Sequence, residues 1–312
     1  EDERRSSVIY HTKKKMRKNS YSKVAKVVTV GLILALGLSG CGYSLSSDET
    51  EKKTEVVETT TESTTEAATE VATTETSQLI LPVVGNDTGK VLIQTVTGSV
   101  VNPYLGCMIT SSNGESIILN PHTMPTRDVI ELNPVAILQM RSQDEYRDPA
   151  FIDAYPDVPK ILNEEGEITT NDFHIYSVQS SFLGNEINDN SGSVVMVIEV
   201  DGLRIAHFGD IGQDELTQDQ LDRIGKIDIA FMPFDNVHSG MTLENEKGFN
   251  LASQLNSKIV IPTRYTPDTA NPLLEEKYGD ITTYENIFEI STEELPEDTL
   301  NIIEITNTHK YK

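Results

Sequence analysis

Apolar positions in this chain gather in short unbroken runs, punctuated by Gly, Pro, Asn and Asp. Residues 194–200 (VVMVIEV) and 203–208 (LRIAHF) flank an Asp201-Gly202 pair. That pattern predicts a β-hairpin, because Asp-Gly tolerates the positive φ of a type I′ turn. The second run ends in Gly209-Asp210-Ile211-Gly212. A carboxylate between glycines at the end of a buried strand sits at a rim where sites are built; taken alone, the same residues fit an ordinary strand-end turn. Residues 216–224 carry apolar side chains at helical spacing. Residues 227–233 (IDIAFMP) and 258–262 (KIVIP) read as buried strands, with a helix around 248–255 between them. Upstream, 115–121 (ESIILNP) is a strand ending at Asn-Pro, and 134–138 (PVAIL) is another short apolar run. Residues 91–101 (VLIQTVTGSVV) and 105–110 are β-like, and 301–305 (NIIEI) is a late strand in a Glu-rich frame.

In this order the elements resemble the metallo-β-lactamase fold, specifically its branch of ascorbate-phosphate-lactonase-like hydrolases. The resemblance runs over roughly residues 92–266 and is most specific over 190–233. It implies an α/β fold, a four-layer αββα sandwich of two mixed β-sheets flanked by helices. It also implies an order of motifs. A strand ends in Asp-Pro, and a Thr-His-x-His-x-Asp-His loop follows. A His then stands after a short strand, a hairpin ends in His-x-Gly-Asp, and a strand ends in Pro-x-His. Members bind one or two zinc or manganese ions through these His and Asp side chains. Neutral imidazole and carboxylate suit such ions, and three protein ligands plus a water make a hydrolytic centre.

Against that pattern the ligands are missing. Where the main loop belongs, after Ile137-Leu138, the chain has Gln139-Met140-Arg141-Ser142-Gln143-Asp144-Glu145-Tyr146, with no His. Residues 179–181 (QSS) lack the next His, and Arg264 stands at the last His position. Of the implied ligands only Asp210 remains, and one carboxylate does not hold a divalent ion, since zinc sites use three or four protein ligands. No metal cofactor is therefore expected. Arginine is always protonated. Arg264, and with it Arg141, is the candidate to replace the metal's charge and pair with Asp210.

A rebuilt site is the alternative. His122 follows the Asn-Pro strand end, His238 lies in residues 234–242 (FDNVHSGMT), and Asp235 is nearby. Converging with Asp210, they would offer a zinc or manganese centre for a lactonase-like or phosphoesterase-like hydrolase. Equally they are unrelated histidines, since no pair has i,i+2 or i,i+4 ligand spacing. His207 precedes the Gly-Asp turn. Ser180, Ser181 and Ser191 read as polar loop serines without a base, and Cys107 as a small core residue. There is no G-x-S-x-G elbow and no phosphate-binding glycine motif, so neither a serine hydrolase nor nucleotide binding has support.

The other end of the chain carries a different signal. Arg17, Lys18, Lys23 and Lys26 form a basic n-region after Met16, and residues 27–38 form a 12-residue apolar stretch, short for a membrane span. Leu38-Ser39-Gly40-Cys41 then resembles a bacterial lipobox, in which Cys41 is lipidated and becomes the mature N-terminus. Residues 1–40 are thus expected to be an upstream extension and lipoprotein signal peptide. Residues 41–78 are the lipidated Cys and a disordered tether, because 47–78 is Thr/Glu-rich and too poor in apolar side chains to offset its ordering entropy. From Gly42 the tether has 37 residues, a reach of at most about 120 Å, which suits clearing a thick wall and favours a Gram-positive cell. Residues 79–312 form the globular domain.

Nine of 25 basic and three of 49 acidic residues fall in residues 1–40, leaving 16 basic against 46 acidic and a net charge of −30. Nucleic acid is therefore excluded as a partner, since phosphate backbones need a basic face. Anionic headgroups repel such a domain, so attachment to the outer face of the cytoplasmic membrane rests on acyl chains at Cys41, of which more than one is needed. Two function classes follow. One is a surface-anchored, non-catalytic binding or scaffold module for a protein or small-molecule partner, and this is the reading adopted. The other is a hydrolase with a rebuilt site. A solute-binding lipoprotein fits the anchor and tether but not the hairpin-Gly-Asp pattern.

Overall fold

The computed structural model describes residues 9–10, 79–98, 106–141, 147–188 and 192–311. Cys41, the apolar stretch 27–38, the tether 47–78, Ser191 and residues 142–146 lie outside them. Two mixed sheets carry the architecture. The larger has nine strands in the order β1-β7-β8-β9-β10-β11-β12-β15-β13: β1 (Ile9–Tyr10), β7 (Glu167–Thr169), β8 (Phe173–Ser181), β9 (Gly192–Val200), β10 (Leu203–His207), β11 (Ile229–Pro233), β12 (Ile259–Thr263), β15 (Asn301–Thr306) and β13 (Ile281–Glu285). It is antiparallel from β1 to β10 and parallel from β10 onward. The second has six strands in the order β14-β2-β3-β4-β5-β6: β14 (Ile287–Ile290), β2 (Val91–Thr95), β3 (Cys107–Thr110), β4 (Ser116–Leu119), β5 (Ala136–Gln139) and β6 (Lys160–Leu162).

Burial on both faces explains why these strands read as continuous apolar runs. Successive side chains of one strand point to opposite faces. In β9, Val194, Met196, Ile198 and Val200 enter the core between the sheets, where they meet Ile93, Ile109, Ile117 and Leu138 of the smaller sheet. Val195 and Val197 face outward, into a second core with Phe249, Leu251 and Leu274. Those side chains belong to α3 (Lys247–Leu255) and α4 (Pro267–Tyr278), and α2 (Gln218–Ile224) adds Ile224. Met108, Ile118 and Ile137 of the smaller sheet face a third core, closed by Phe151 and Ile152 of α1 (Pro149–Asp153). Helix, sheet, sheet and helix thus stack as the four layers that the resemblance implied.

The hairpin stands where its sequence places it. Leu203 pairs with Val200, and Asp201 and Gly202 take φ of 47° and 80°, as a type I′ turn requires. Thr217 caps α2 in a reciprocal capping box with Gln220. One expectation changes. Ser180 and Ser181 are buried in β8, not in a polar loop, because the strand, with Phe173 and Ile175 on one face and Val178 on the other, runs on through them and pairs them with Ser193 and Gly192 of β9. The segment 156–166 holds the edge strand β6. Ile9–Tyr10 pairs with β7. Among the described residues no helix is long and apolar enough to cross a membrane.

The C-terminal segment closes over the smaller sheet through His309, whose ring nitrogens lie 3.2 Å from the Ile80 carbonyl and 2.7 Å from the Thr95 carbonyl. Burial pushes its pKa below the ordinary histidine value, and the two carbonyls oppose that only in part. A histidine depressed in the folded state contributes stability that is present above its unfolded pKa and is lost as pH falls, since the unfolded chain then binds the extra proton. The urea midpoint is expected to fall between pH 7.5 and 5.5, and His309→Asn is expected to flatten that slope. An unchanged slope in the variant contradicts the assignment.

Candidate functional site

The cleft of interest opens at one end of the inter-sheet core, where β5, β10 and β12 all finish. It encloses about 430 Å3 including its solvent-open mouth, and Asn120, His122, Gln139, Arg141, Asp210 and Arg264 are among the residues lining it. The turn after β10 places the carboxylate. Phe208 donates its N–H to Phe231 O, and the Gly209 N–H donates to Nδ1 of His207 at 3.0 Å. Gly209 has φ of 54°, and a Cβ there would stand 2.7 Å from Met140 Cβ. At Gly212 a Cβ would meet the Phe182 and Ser239 carbonyl oxygens at 2.2 Å each. The two glycines therefore let the turn lie flat against its neighbours, and Asp210 between them points inward with its side chain only 3% exposed.

Both oxygens of Asp210 are taken. Arg264 approaches side-on, with Nε 2.6 Å from Oδ1 and Nη2 2.9 Å from Oδ2. Arg141 donates from Nη1 to Oδ2 at 3.0 Å, and Asn236 from Nδ2 to Oδ1 at 3.2 Å. The two-point contact of Arg264 is the geometry that guanidinium and carboxylate share best. Each arginine is held by its own strand end. Arg141 forms an isolated bridge with Ser193 at the start of β9, and its guanidinium carbon lies 3.5 Å from the Phe182 ring centroid, close enough for a cation–π contact. Arg264 follows β12 with φ of 49°, a left-handed conformation tied down by the Asp235 N–H bond to its carbonyl at 2.7 Å.

Of the residues proposed from sequence, Asp210, Arg141, Arg264 and His122 share this cleft. Burial holds His122 below the ordinary histidine pKa; Asp148 opposes that, and Arg264 reinforces it. His238 does not converge with them. It lies exposed on a short 3-10 turn, Val237–Ser239, and does not line the cleft. Asp235 is half-buried and contributes its backbone rather than its carboxylate. Asn236, between the two residues singled out, is the one whose side chain reaches Asp210. Sequence reasoning also passed over Asn120, Gln139 and Thr263, whose chemistry shows only once three strand ends meet. Among the described residues no group of three or more His, Cys, Asp or Glu is placed to hold a metal ion.

Comparison with known proteins adds a family. A model described as "Beta-lactamase superfamily domain" matches residues 105–264, just over half of the chain. Among solved structures, a candidate Zn-dependent hydrolase of the metallo-β-lactamase superfamily from Thermotoga maritima is similar over 69% of this chain and 99% of that one, with 18% identity and a TM-score of 0.49. The metallo-β-lactamase fold protein YhfI from Bacillus subtilis is similar over 70% and 98%, with 8% identity and a TM-score of 0.43. A candidate metal-dependent hydrolase from Parabacteroides distasonis is similar over 64% and 93%, with 18% identity and a TM-score of 0.43. No curated protein matches the chain.

Breaking one partner of a buried ion pair leaves an uncompensated charge and costs about 3–5 kcal/mol. Asp210→Asn and Arg264→Leu are each expected to destabilise the chain in urea, and the double variant to be less unstable than their sum by at least about 1 kcal/mol. Additive effects in that cycle count against the pairing.

Proposed function

The chain belongs to the β-lactamase superfamily, and we propose that on this scaffold it serves as a membrane-anchored, extracytoplasmic binding module that has lost metal-dependent hydrolysis. The observation that carries this reading is the engagement of Asp210 by two guanidinium groups. A zinc or manganese ion bound to that carboxylate would sit against two fixed positive charges and would have to displace four N–H contacts of 2.6–3.2 Å. Two imidazoles, His122 and His207, line the same cleft, but His207 accepts the Gly209 N–H at Nδ1 and stacks on Phe231, and among the described residues no three His, Cys, Asp or Glu side chains are placed to hold one ion, where three or four ligands are the rule. The residues present therefore do not fit the family's metal. The arginines supply the positive charge that the ion would have supplied, and they hold the β10 turn to the ends of β5 and β12.

The anchor in this proposal comes from the N-terminal sequence. The basic n-region, the 12-residue apolar stretch 27–38 and Leu38-Ser39-Gly40-Cys41 support lipidation of Cys41 and attachment to the outer membrane face. The Thr/Glu-rich stretch 47–78 acts as a solvated spacer. The module at its end meets its protein or small-molecule partner away from the bilayer.

Two measurements check the two halves. Mass-spectrometric metal analysis of the purified chain is expected to give well below one equivalent of zinc, manganese or iron. A stoichiometric ion that is lost in Asp210→Ala or His122→Ala contradicts the binding-module reading. Metabolic labelling with an alkyne fatty acid is expected to mark the chain and to fail in Cys41→Ala, which should leave the membrane fraction. Labelling that persists in the variant removes Cys41 as the anchor.

A further inference from the structure

Two polar atoms on the cleft wall have no protein partner. Gln139 and Thr263 both line the cleft, each is 2% exposed, and neither Gln139 Oε1 nor Thr263 Oγ1 makes a hydrogen bond. Folded proteins leave few buried polar atoms unsatisfied, and those that remain beside a cleft mark a place for something else to bond. A chain of contacts sets what that something must offer. The Met140 backbone N–H can only donate, and Asn120 Oδ1 accepts it at 3.1 Å. The Asn120 oxygen is therefore the atom that meets Gln139, and it takes the Gln139 Nε2–H at 3.3 Å. The opposite amide orientation would set two oxygens against each other. Gln139 Oε1 is thus left as a pure acceptor and requires a donor, while the Thr263 hydroxyl can donate or accept.

The rest of the wall selects the charge of the ligand. Arg141 and Arg264 bring guanidinium groups to the same cleft, and guanidinium is the side chain best matched to carboxylate and phosphate oxygens. We propose that the cleft binds a small oxyanion that also carries an O–H donor, its charged oxygens facing the arginines and Thr263 and its O–H directed at Gln139 Oε1. Monohydrogen phosphate and short 2-hydroxycarboxylates share that chemistry; sulfate and acetate have the charge without the donor at neutral pH. This deepens the metal-free binding reading and rests on it.

Calorimetric titration of the purified full chain with inorganic phosphate, sulfate, glycolate and acetate, at pH 7 and matched ionic strength, tests the idea. Phosphate is expected to bind about tenfold or more tighter than sulfate, or glycolate than acetate, because the analogue without the proton leaves a buried acceptor unmet. Which pair discriminates tells the source of the anion, and either supports the proposal. Gln139→Met keeps the side-chain length and removes the acceptor, so it should bring the members of a pair to within about twofold. Should that variant fail to fold by circular dichroism, Thr263→Val replaces it and should weaken both members of a pair while keeping their ratio. No binding, equal binding of the members of both pairs, or a preference that survives Gln139→Met overturns the proposal. Metal is measured on the same sample. A metal-free sample without discrimination sinks this inference alone, whereas a stoichiometric ion sinks the underlying reading first.

Discussion

A carboxylate buried to 3% exposure is costly unless its charge is met at close range, and in this molecule the charge of Asp210 is met by protein cations. Three separate strand ends depend on that pairing. Asp210 brings the β10 turn, Arg141 the end of β5, and Arg264 the end of β12. The smaller and larger sheets are thereby fastened to each other at the rim of their shared core, through a contact that hydrophobic packing cannot specify. Hydrophobic burial sets two sheets face to face; directional N–H bonds fix where their ends meet.

The same geometry decides what the rim can do. Guanidinium groups are permanent charges with fixed donor directions, so a site built on them recognises oxygen-rich anions and does not polarise water as a metal does. The glycines on either side of Asp210 permit the close approach, and Phe182 covers one face of Arg141. Gln139 and Thr263 then give the wall a directional preference beyond charge. Charge, shape and hydrogen-bond polarity together are what the proposed recognition of a ligand draws on.

Much of this was legible in the sequence, for identifiable reasons. The Asp201-Gly202 hairpin, the buried strands β11 and β12 and the helix between them announce themselves through turn chemistry and apolar runs. Arg141 and Arg264 stood out because they occupy positions where the resembling family has histidine or acidic ligands. Other features were hidden by distance along the chain. Asn236 contacts a residue 26 positions away, and Gln139 one 19 positions away, so neither has a local signature. The end of β8 was hidden because Ser180 and Ser181 look like turn formers, although the sheet buries both. The helix α4 contains Pro272, which reads as a breaker. His238 misled in the opposite way, since its residue type suggests a ligand while the 3-10 turn carries it outward.

Anomalous diffraction at the zinc edge, from crystals of this chain grown with excess zinc, bears most directly on the proposed replacement of a metal by arginine. The expected map has no anomalous peak within coordination distance of Asp210, and both guanidinium groups remain on its oxygens. A full-occupancy peak beside Asp210, with Arg264 turned away to make room, would contradict the account.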